Sequence, residues 1–165
     1  FAEDVRNRFP ASGKAAQKAV AASASNRGTR DVAEDWFESL QRGEFEHALS
    51  LVDDNVVWEN ISPTPGVTDM APWLGVYHGL EAVKTSLDVW TKHCEMLSYT
   101  PYKIVVDGED AIGLIHEHAK YRANNNEYNL YASTHLKIRD GKIVNWRVYW
   151  DPSPLVAAYK GLVGH

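Results

Sequence analysis

The chain has 165 residues, of which 44% are hydrophobic and 24% charged, the size and composition of one globular domain. A net charge of −5 argues against nucleic-acid binding because no basic face is available for phosphates, and no run of about 20 apolar residues marks a membrane span. The single cysteine, Cys94, excludes an intramolecular disulfide and a cysteine-rich metal site.

Residues 1–28 are expected to form an N-terminal arm, and residues 29–165 the folded domain. The arm contains an Ala- and Ser-rich stretch at 15–24 that favours a helix. The domain is predicted to open with a helix that ends at Gly43 and carries one apolar face, formed by Val32, Trp36, Phe37 and Leu40. A short second helix then leads to a strand at Val56–Ile61.

The segment Ser62–Gly75 is rich in Pro and Gly, and we expect it to be a mobile lid at the mouth of a pocket. Apolar residues then recur at spacings of three and four from Leu80 to Leu97, which predicts a long helix that includes Cys94. After Thr100 the hydrophobic period becomes two, which predicts strands.

Long strands that follow helices are typical of an α+β fold. We expect a strongly curved, mostly antiparallel sheet wrapped around the helices and enclosing one pocket. Even-numbered residues of the strand at 128–138 should face inward. So should one face of the last strand, which follows a tight turn at Asp140–Gly141 and carries Val144, Trp146, Val148 and Trp150.

Three segments resemble the SnoaL-like branch of the nuclear-transport-factor-2-like superfamily: Trp58–Pro63, Gly79–Val83 and Gly141–Pro152. The resemblance covers about residues 29–160 and implies a cone-shaped fold. Limonene-1,2-epoxide hydrolase and ketosteroid isomerase belong to the same superfamily. This scaffold hosts isomerases, cyclases, dehydratases, hydrolases and non-catalytic binders, so the resemblance specifies the fold more closely than the activity.

The resemblance to limonene-epoxide hydrolases places that family's water-holding Tyr and Asn at Trp58 and Asn60. Its Arg and first Asp, which lie on a middle strand, fall on His116 and His118, and its second Asp falls on Val148. The acid and the base are therefore absent, which argues against epoxide hydrolysis by that mechanism.

The resemblance to ketosteroid isomerase places that enzyme's Tyr at Trp36, its base Asp at Asn60 and its hydrogen-bonding Asp at Thr134. An Asn cannot remove a proton at neutral pH, so steroid isomerisation by that mechanism is not expected either.

His116 and His118 remain as candidates for proton transfer near neutral pH. They share one face of a regular strand, and the resemblance places them with Asn60 on the pocket wall, as general base and orienting groups. The alternative is that this face is the convex side of the sheet and supports a dimer, because apolar residues occur on both faces of 112–120. In the first arrangement Glu117 faces solvent or a partner.

The other pocket residues are expected to bind substrate through ring contacts and shape, although ordinary core packing is the alternative for the four Trp of the helix and strands. A two-histidine metal site lacks a visible third ligand, so we expect neither a metal nor an organic cofactor. The predicted substrate-binding residues are Trp36, Trp58, Trp73, Thr134, Trp146, Val148 and Trp150.

The leading hypothesis is a SnoaL-like enzyme that uses acid–base chemistry, as an isomerase, cyclase, lyase or hydrolase, on a small apolar cyclic or polyketide-like molecule. The alternatives are a non-catalytic small-molecule-binding protein of the same fold and an interaction protein. A cytoplasmic location is expected, with secretion or a periplasmic location after leader removal as the alternative, since the chain begins with Phe1. We expect a homodimer formed through the outer sheet face, which carries Asn129, Tyr131, Ser133 and His135.

Overall fold

The structure is a computed structural model that describes residues 14–60 and 70–162, with side chains described from residue 28 onward within those ranges. The described part contains four helices and six strands. The helices are α1 (Lys14–Arg42), α2 (Phe45–Ser50), α3 (Leu80–His93) and α4 (Ser153–Lys160). The strands are β1 (Val52–Asn60), β2 (Gly75–His78), β3 (Cys94–Asp107), β4 (Asp110–Tyr121), β5 (Asn126–Arg139) and β6 (Lys142–Trp150).

The strands form one curved sheet in the order β2-β1-β6-β5-β4-β3. Only the β1–β6 pair is parallel among the described strands, and β3 to β6 form an antiparallel meander. The predicted tight turn is confirmed at Asp140 and Gly141, whose φ angles of 50° and 75° match the right-handed twist of the flanking strands. The α+β fold predicted from the sequence is therefore confirmed.

Helix α1 packs against the concave face of the sheet and buries Trp36 and Phe37 in the core. It lies very close to the sheet at Gly113 of β4, where an added Cβ would lie 2.2 Å from Phe37 Cζ. A glycine inside a strand commonly marks such a close approach. This contact places one end of the helix face against β4 and β5.

The predicted helix at 80–97 is shorter than its apolar spacing suggested, because α3 ends at His93. Cys94 has extended backbone, with φ −124° and ψ 161°, and pairs with Tyr121 of β4. Pairing with a neighbouring strand satisfies the backbone groups here and overrides the helical period. Cys94 is buried as a strand residue, whereas Leu97 is 40% exposed.

Two predictions concern segments that the structure covers only in part. Helix α1 runs without a break through residue 28, the predicted end of the arm, while residues 1–13 lie outside the described residues. The predicted lid at Ser62–Gly75 is described only from residue 70 onward. Its mobility stays a prediction.

Candidate functional site

A cavity of about 960 Å³ lies between the concave face of the sheet and the helices. Trp58 and Trp146 stack on its wall with ring centroids 3.9 Å apart and planes 4° from parallel. They stack because they are register partners on the parallel strands β1 and β6. Trp36 of α1 meets Trp58 edge to face at 6.0 Å, so three indoles from three elements form one aromatic wall.

The structure brings together eight of the ten residues predicted for the site. The inward face expected for β5 is correct, and so is that of β6 at Trp146, Val148 and Trp150, which line this cavity. Val144 was expected on the same face, but a register shift in the β5–β6 pairing leaves it out of the cavity wall and buries Ile143 instead. The roles of these residues in binding stay predictions. The eight are Trp36, Trp58, Asn60, Trp73, Thr134, Trp146, Val148 and Trp150.

The predicted position of His116 and His118 on the cavity wall is wrong. Both face the outer side of the sheet, where His118 Nε2 lies 2.8 Å from Glu127 Oε2 and His116 Nε2 lies 3.0 Å from Asn129 Oδ1. The His116 ring also stacks on Tyr131, which is 68% exposed. The assignment from the resemblance was one residue out of phase with the cavity face, so these two residues cannot act on a ligand in the cavity.

Glu117, expected to face outward, instead lines the cavity. Its register partners are Tyr99 on β3 and Leu130 on β5, and these two residues line the cavity as well. Cross-strand partners point to the same side of a sheet, so the three side chains form one row across the cavity wall. Sequence reasoning missed Glu117 and Tyr99.

The length of the β4–β5 turn is the sequence feature that could have predicted this row of side chains. Tyr121 pairs with Asn126 across a four-residue turn, so odd residues of β4 face the same side as even residues of β5. The inward face of β5 was predicted correctly. A three-residue turn would have reversed β4 and placed His116 and His118 inside.

The Glu117 carboxyl has no hydrogen-bond or ionic partner among the described residues, and its residue is only partly exposed, to the cavity. Burial of the charged form raises the pKa of Glu117 from 4.5 to about 7. The carboxyl therefore changes its protonation state near neutral pH. This is the range in which a proton-transfer group is most effective.

Two tyrosines beside Glu117 stay protonated. Burial, and then the charge of Glu117, hold the pKa of Tyr99 well above its usual value of 10.0, with the Thr134 hydroxyl offsetting part of this rise. The same two causes raise the pKa of Tyr128. Both phenols are therefore hydrogen-bond donors at any pH at which Glu117 titrates.

Tyr128 also links Glu117's surroundings to α3 and the start of β3. Cys94 and Trp90 both lie close enough to the Tyr128 hydroxyl to affect its pKa, which Cys94 raises and Trp90 lowers. Burial raises the pKa of the Cys94 thiol to about 11, so this cysteine is a neutral, packed side chain.

The basic residues that line the cavity are already paired. Lys84 Nζ lies 2.7 Å from Glu81 Oε1, and Arg122 contacts Glu95 at 3.0 Å. Across the described residues, no group of three His, Cys, Asp or Glu side chains is arranged to hold a metal ion.

Two buried polar atoms at the cavity lack a hydrogen-bond partner among the residues described, Trp36 Nε1 and Thr134 Oγ1. The Tyr99 hydroxyl is close enough to Thr134 to affect the pKa of Tyr99, yet the two hydroxyls do not meet hydrogen-bond geometry. Buried polar groups are nearly always paired, so each orphan calls for an explanation.

A family model described as a SnoaL-like domain matches residues 33–146. No match was found among curated protein sequences. None of the helices in the described ranges has the length and apolar character needed to cross a membrane.

Solved structures share the fold at low identity. An NTF2-like protein from Burkholderia xenovorans is 20% identical, with a TM-score of 0.66 over 81% of this chain and 97% of that chain. A protein from Mesorhizobium loti, named as a candidate SnoaL-like polyketide cyclase, is 19% identical, with a TM-score of 0.61 over 73% and 97%. An LEH-like epoxide hydrolase from M. tuberculosis is 17% identical, with a TM-score of 0.60 over 86% and 93%.

Proposed function

Because this chain belongs to the family of SnoaL-like domains, we propose that it is an enzyme of acid–base chemistry on a small, largely apolar cyclic molecule. The reaction is an isomerisation, cyclisation, dehydration or hydrolysis that proceeds without an organic cofactor. The observation that supports this proposal is the Glu117 carboxyl, unpaired within the described residues in an aromatic cavity and titrating near pH 7. The cyclase and hydrolase names of the structural neighbours are consistent with it.

Glu117 serves as the general base in this proposal. As a carboxylate in an apolar cavity it is poorly solvated, so it accepts a proton from a bound molecule more readily than an exposed Glu does. The protonated form then returns the proton to another atom of the same molecule. Tyr99 and Tyr128 supply neutral donors for an oxygen that gains negative charge during the transfer.

Asn60 is an orienting residue in this proposal. Its amide lines the same cavity but cannot exchange a proton at neutral pH. We assign it to orienting the bound molecule by hydrogen bonds.

The test compares Glu117→Gln with His118→Ala, a change on the same strand that faces outward. Turnover is measured against a panel of small cyclic ketones, epoxides and dehydratable alcohols. Removing the base should lower kcat/KM by about 100-fold or more, the usual scale for a lost general base. His118→Ala should leave kcat/KM within about twofold of the wild type.

The pH profile adds a second readout. Because a base must be deprotonated, kcat/KM should rise with pH through an apparent pKa of about 7, and this rise should be missing in Glu117→Gln. Turnover that survives in Glu117→Gln with the same profile would count against the proposal.

The stacked pair Trp58 and Trp146 favours a second candidate, a binding protein without turnover. Two parallel indoles offer a flat apolar surface that holds a ring whether or not Glu117 acts on it. Tight binding of panel members, with no turnover at any pH, would favour this candidate over the enzyme.

A further inference from the structure

The charged side chains that line the cavity are mostly acidic. Over the part of the cavity wall that the structure describes, four are acidic and two are basic. The two basic side chains, Lys84 and Arg122, already contact Glu81 and Glu95. An anionic ligand would therefore have to displace an existing ion pair, whereas a cationic ligand meets carboxylates directly. The four acidic residues are Glu46, Asp88, Glu95 and Glu117.

Glu117 differs from the other three acidic residues in its surroundings. Glu46 and Asp88 are exposed, and Glu95 is paired. Burial is what raises the pKa of Glu117, and neither of the two cavity cations offsets it. A carboxylate withdrawn from bulk water needs a counter-charge if it is to stay ionised. The described residues supply none to Glu117, so a bound ligand can be the source of it.

The ionisable groups near the Glu117 carboxyl are neutral. They are the Tyr99 phenol and the Cys94 thiol on β3 and the Tyr128 phenol on β5. Burial, with the charge of Glu117 in addition, raises the pKa of all three. No ionisable group of α1 or α3 shifts the pKa of Glu117. Its titration near neutral pH is therefore that of a single carboxyl.

Aromatic rings border the same carboxyl. Tyr99 is the register partner of Glu117, and Tyr128 is its diagonal neighbour on β5. Trp90 of α3 lies close enough to Tyr128 to affect its pKa, and all three rings line the cavity. The faces of aromatic rings attract cations, more strongly where water is excluded, and sites for ammonium groups are commonly cages of such rings.

We propose that Glu117, together with the rings of Tyr99, Tyr128 and Trp90, binds the protonated nitrogen of a cyclic amine. An N–H of the ammonium group donates a hydrogen bond to the Glu117 carboxylate, and the apolar rest of the molecule packs against the aromatic wall. The inference rests on the proposed function for the choice of cavity, and it deepens that function by naming the class of molecule.

Binding of a cation should be coupled to the ionisation of Glu117. The ammonium group pairs with the carboxylate and not with the protonated carboxyl, so binding below pH 7 must release a proton. Only the ionised fraction of the chain binds, so the affinity should rise by about 30-fold between about pH 5.5 and about pH 8. A neutral ligand should show no such rise.

The experiment uses two bicyclic probes, 1,2,3,4-tetrahydroisoquinoline and tetralin. They differ by a protonated amine in place of one methylene, and the amine stays mostly protonated over this pH range. Equilibrium dialysis measures the affinity for both. At about pH 8 the wild-type chain should bind the amine about 10-fold more tightly than tetralin, the range for a hydrogen bond to a charged group.

Calorimetry of the amine at about pH 6, in two buffers with different heats of ionisation, measures the proton release directly. The wild-type chain should release about one proton for each amine bound, because Glu117 is mostly protonated at that pH. This readout needs no variant.

Glu117→Gln keeps the shape of the side chain and removes its charge. It should weaken amine binding at about pH 8 by about 30-fold or more, because the ammonium group is left unpaired in the cavity. It should also abolish the proton release and leave tetralin affinity nearly unchanged. Asp88→Asn is the matched control, since it removes an exposed carboxylate of the same cavity and should change amine affinity by less than about threefold.

Each outcome bears on the amine site. No preference for the amine over tetralin in the wild-type chain, binding of neither probe, or no proton release overturns it. So does an equal loss of amine affinity in Glu117→Gln and Asp88→Asn, with circular dichroism showing that both variants are folded. Turnover of neutral molecules that depends on Glu117, without a preference for the amine, overturns this inference and leaves the proposed function standing. Preference for the amine without any turnover supports the inference and counts against the enzyme.

Discussion

The Glu117 carboxyl has two properties that bear on its chemistry. It is withdrawn from bulk water, and it faces the neutral donors Tyr99 and Tyr128 rather than a cation. Its neighbour on the chain, His118, lies on the opposite face beside Glu127 and is solvated. Two consecutive residues of one strand therefore lie in entirely different surroundings.

Glu117 is expected to make the stability of the protein depend on pH. Its pKa in the folded chain, about 7, is raised above the ordinary 4.5, so the folded chain binds the proton more tightly than the unfolded chain. The stability from this group is fully present below about pH 4.5 and is lost as the pH rises to about 7. The loss amounts to about 3 kcal/mol at most.

Glu117→Gln removes this titration and is the direct check. The variant should be more stable than the wild type at pH 8 by up to about 3 kcal/mol, and the difference should vanish near pH 4.5. Urea unfolding at several pH values measures it. A difference that is the same at all pH values would show that Glu117 does not titrate as described.

At the scale of elements, the contact of α1 with β4 sets the position of the aromatic wall. Gly113 lets Phe37 lie against the strand backbone, and Trp36 then reaches Trp58. Any side chain at 113 would push the helix away from the sheet.

Gly113→Ala should therefore destabilise the protein by about 1–3 kcal/mol, the cost of an overpacked core. The matched control is Gly28→Ala, at an open and exposed position of α1, which should raise stability by up to about 1 kcal/mol. Thermal unfolding compares the two. Equal effects of the two substitutions on stability would mean that the helix adjusts freely. A smaller loss of stability for Gly113→Ala when Phe37 is also replaced by Leu would support the contact.

The sequence predicted some of these elements well, for a physical reason. Strand β5 alternates cleanly, with a polar outer face, so its inward residues could be assigned. Strand β4 carries Ile112 and Leu114 on one face and Ile115 and Ala119 on the other, so hydrophobicity does not show which face points inward. That face depends on the length of the β4–β5 turn, which periodicity does not report.

This dependence on periodicity also explains which site residues the sequence identified. The indoles of β1 and β6 were found because large aromatic residues recur on one face. Tyr99 was not found, because the apolar spacing predicted a helix as far as Leu97 and strands only after Thr100, whereas β3 begins at Cys94. A register shift between Met96 and Ser98 also changes which residues of β3 face inward. Such a bulge has no reliable signature in one sequence.

At the scale of the whole molecule, the outer sheet face carries large exposed rings. Tyr131 and Tyr149 are 68% and 53% exposed, and the Arg147 guanidinium lies 5.2 Å from the Tyr149 ring centroid. Exposed Tyr and Arg on one face are typical of protein interfaces. We propose that two copies of the chain associate through this face.

Light scattering at micromolar concentration should then give twice the chain mass of 18.5 kDa. Tyr131→Asp should shift the protein toward a monomer, because it places a charge in the contact. Leu162→Asp is a matched control, since Leu162 is 69% exposed and follows α4 rather than lying on the strands that carry Tyr131 and Tyr149. A wild-type monomer would refute the proposal.

The parallel pairing of β1 with β6 also determines when the cavity comes into being during folding. Strand β6 lies between β1 and β5, so the β1–β2 pair is joined to the rest of the sheet through β6. Trp58 and Trp146 are far apart in the chain, and closing so long a loop is a slow step compared with forming the local hairpins. The aromatic wall is therefore expected to form late in folding and in one step. The protein should be able to bind its ligand only once the sheet is complete.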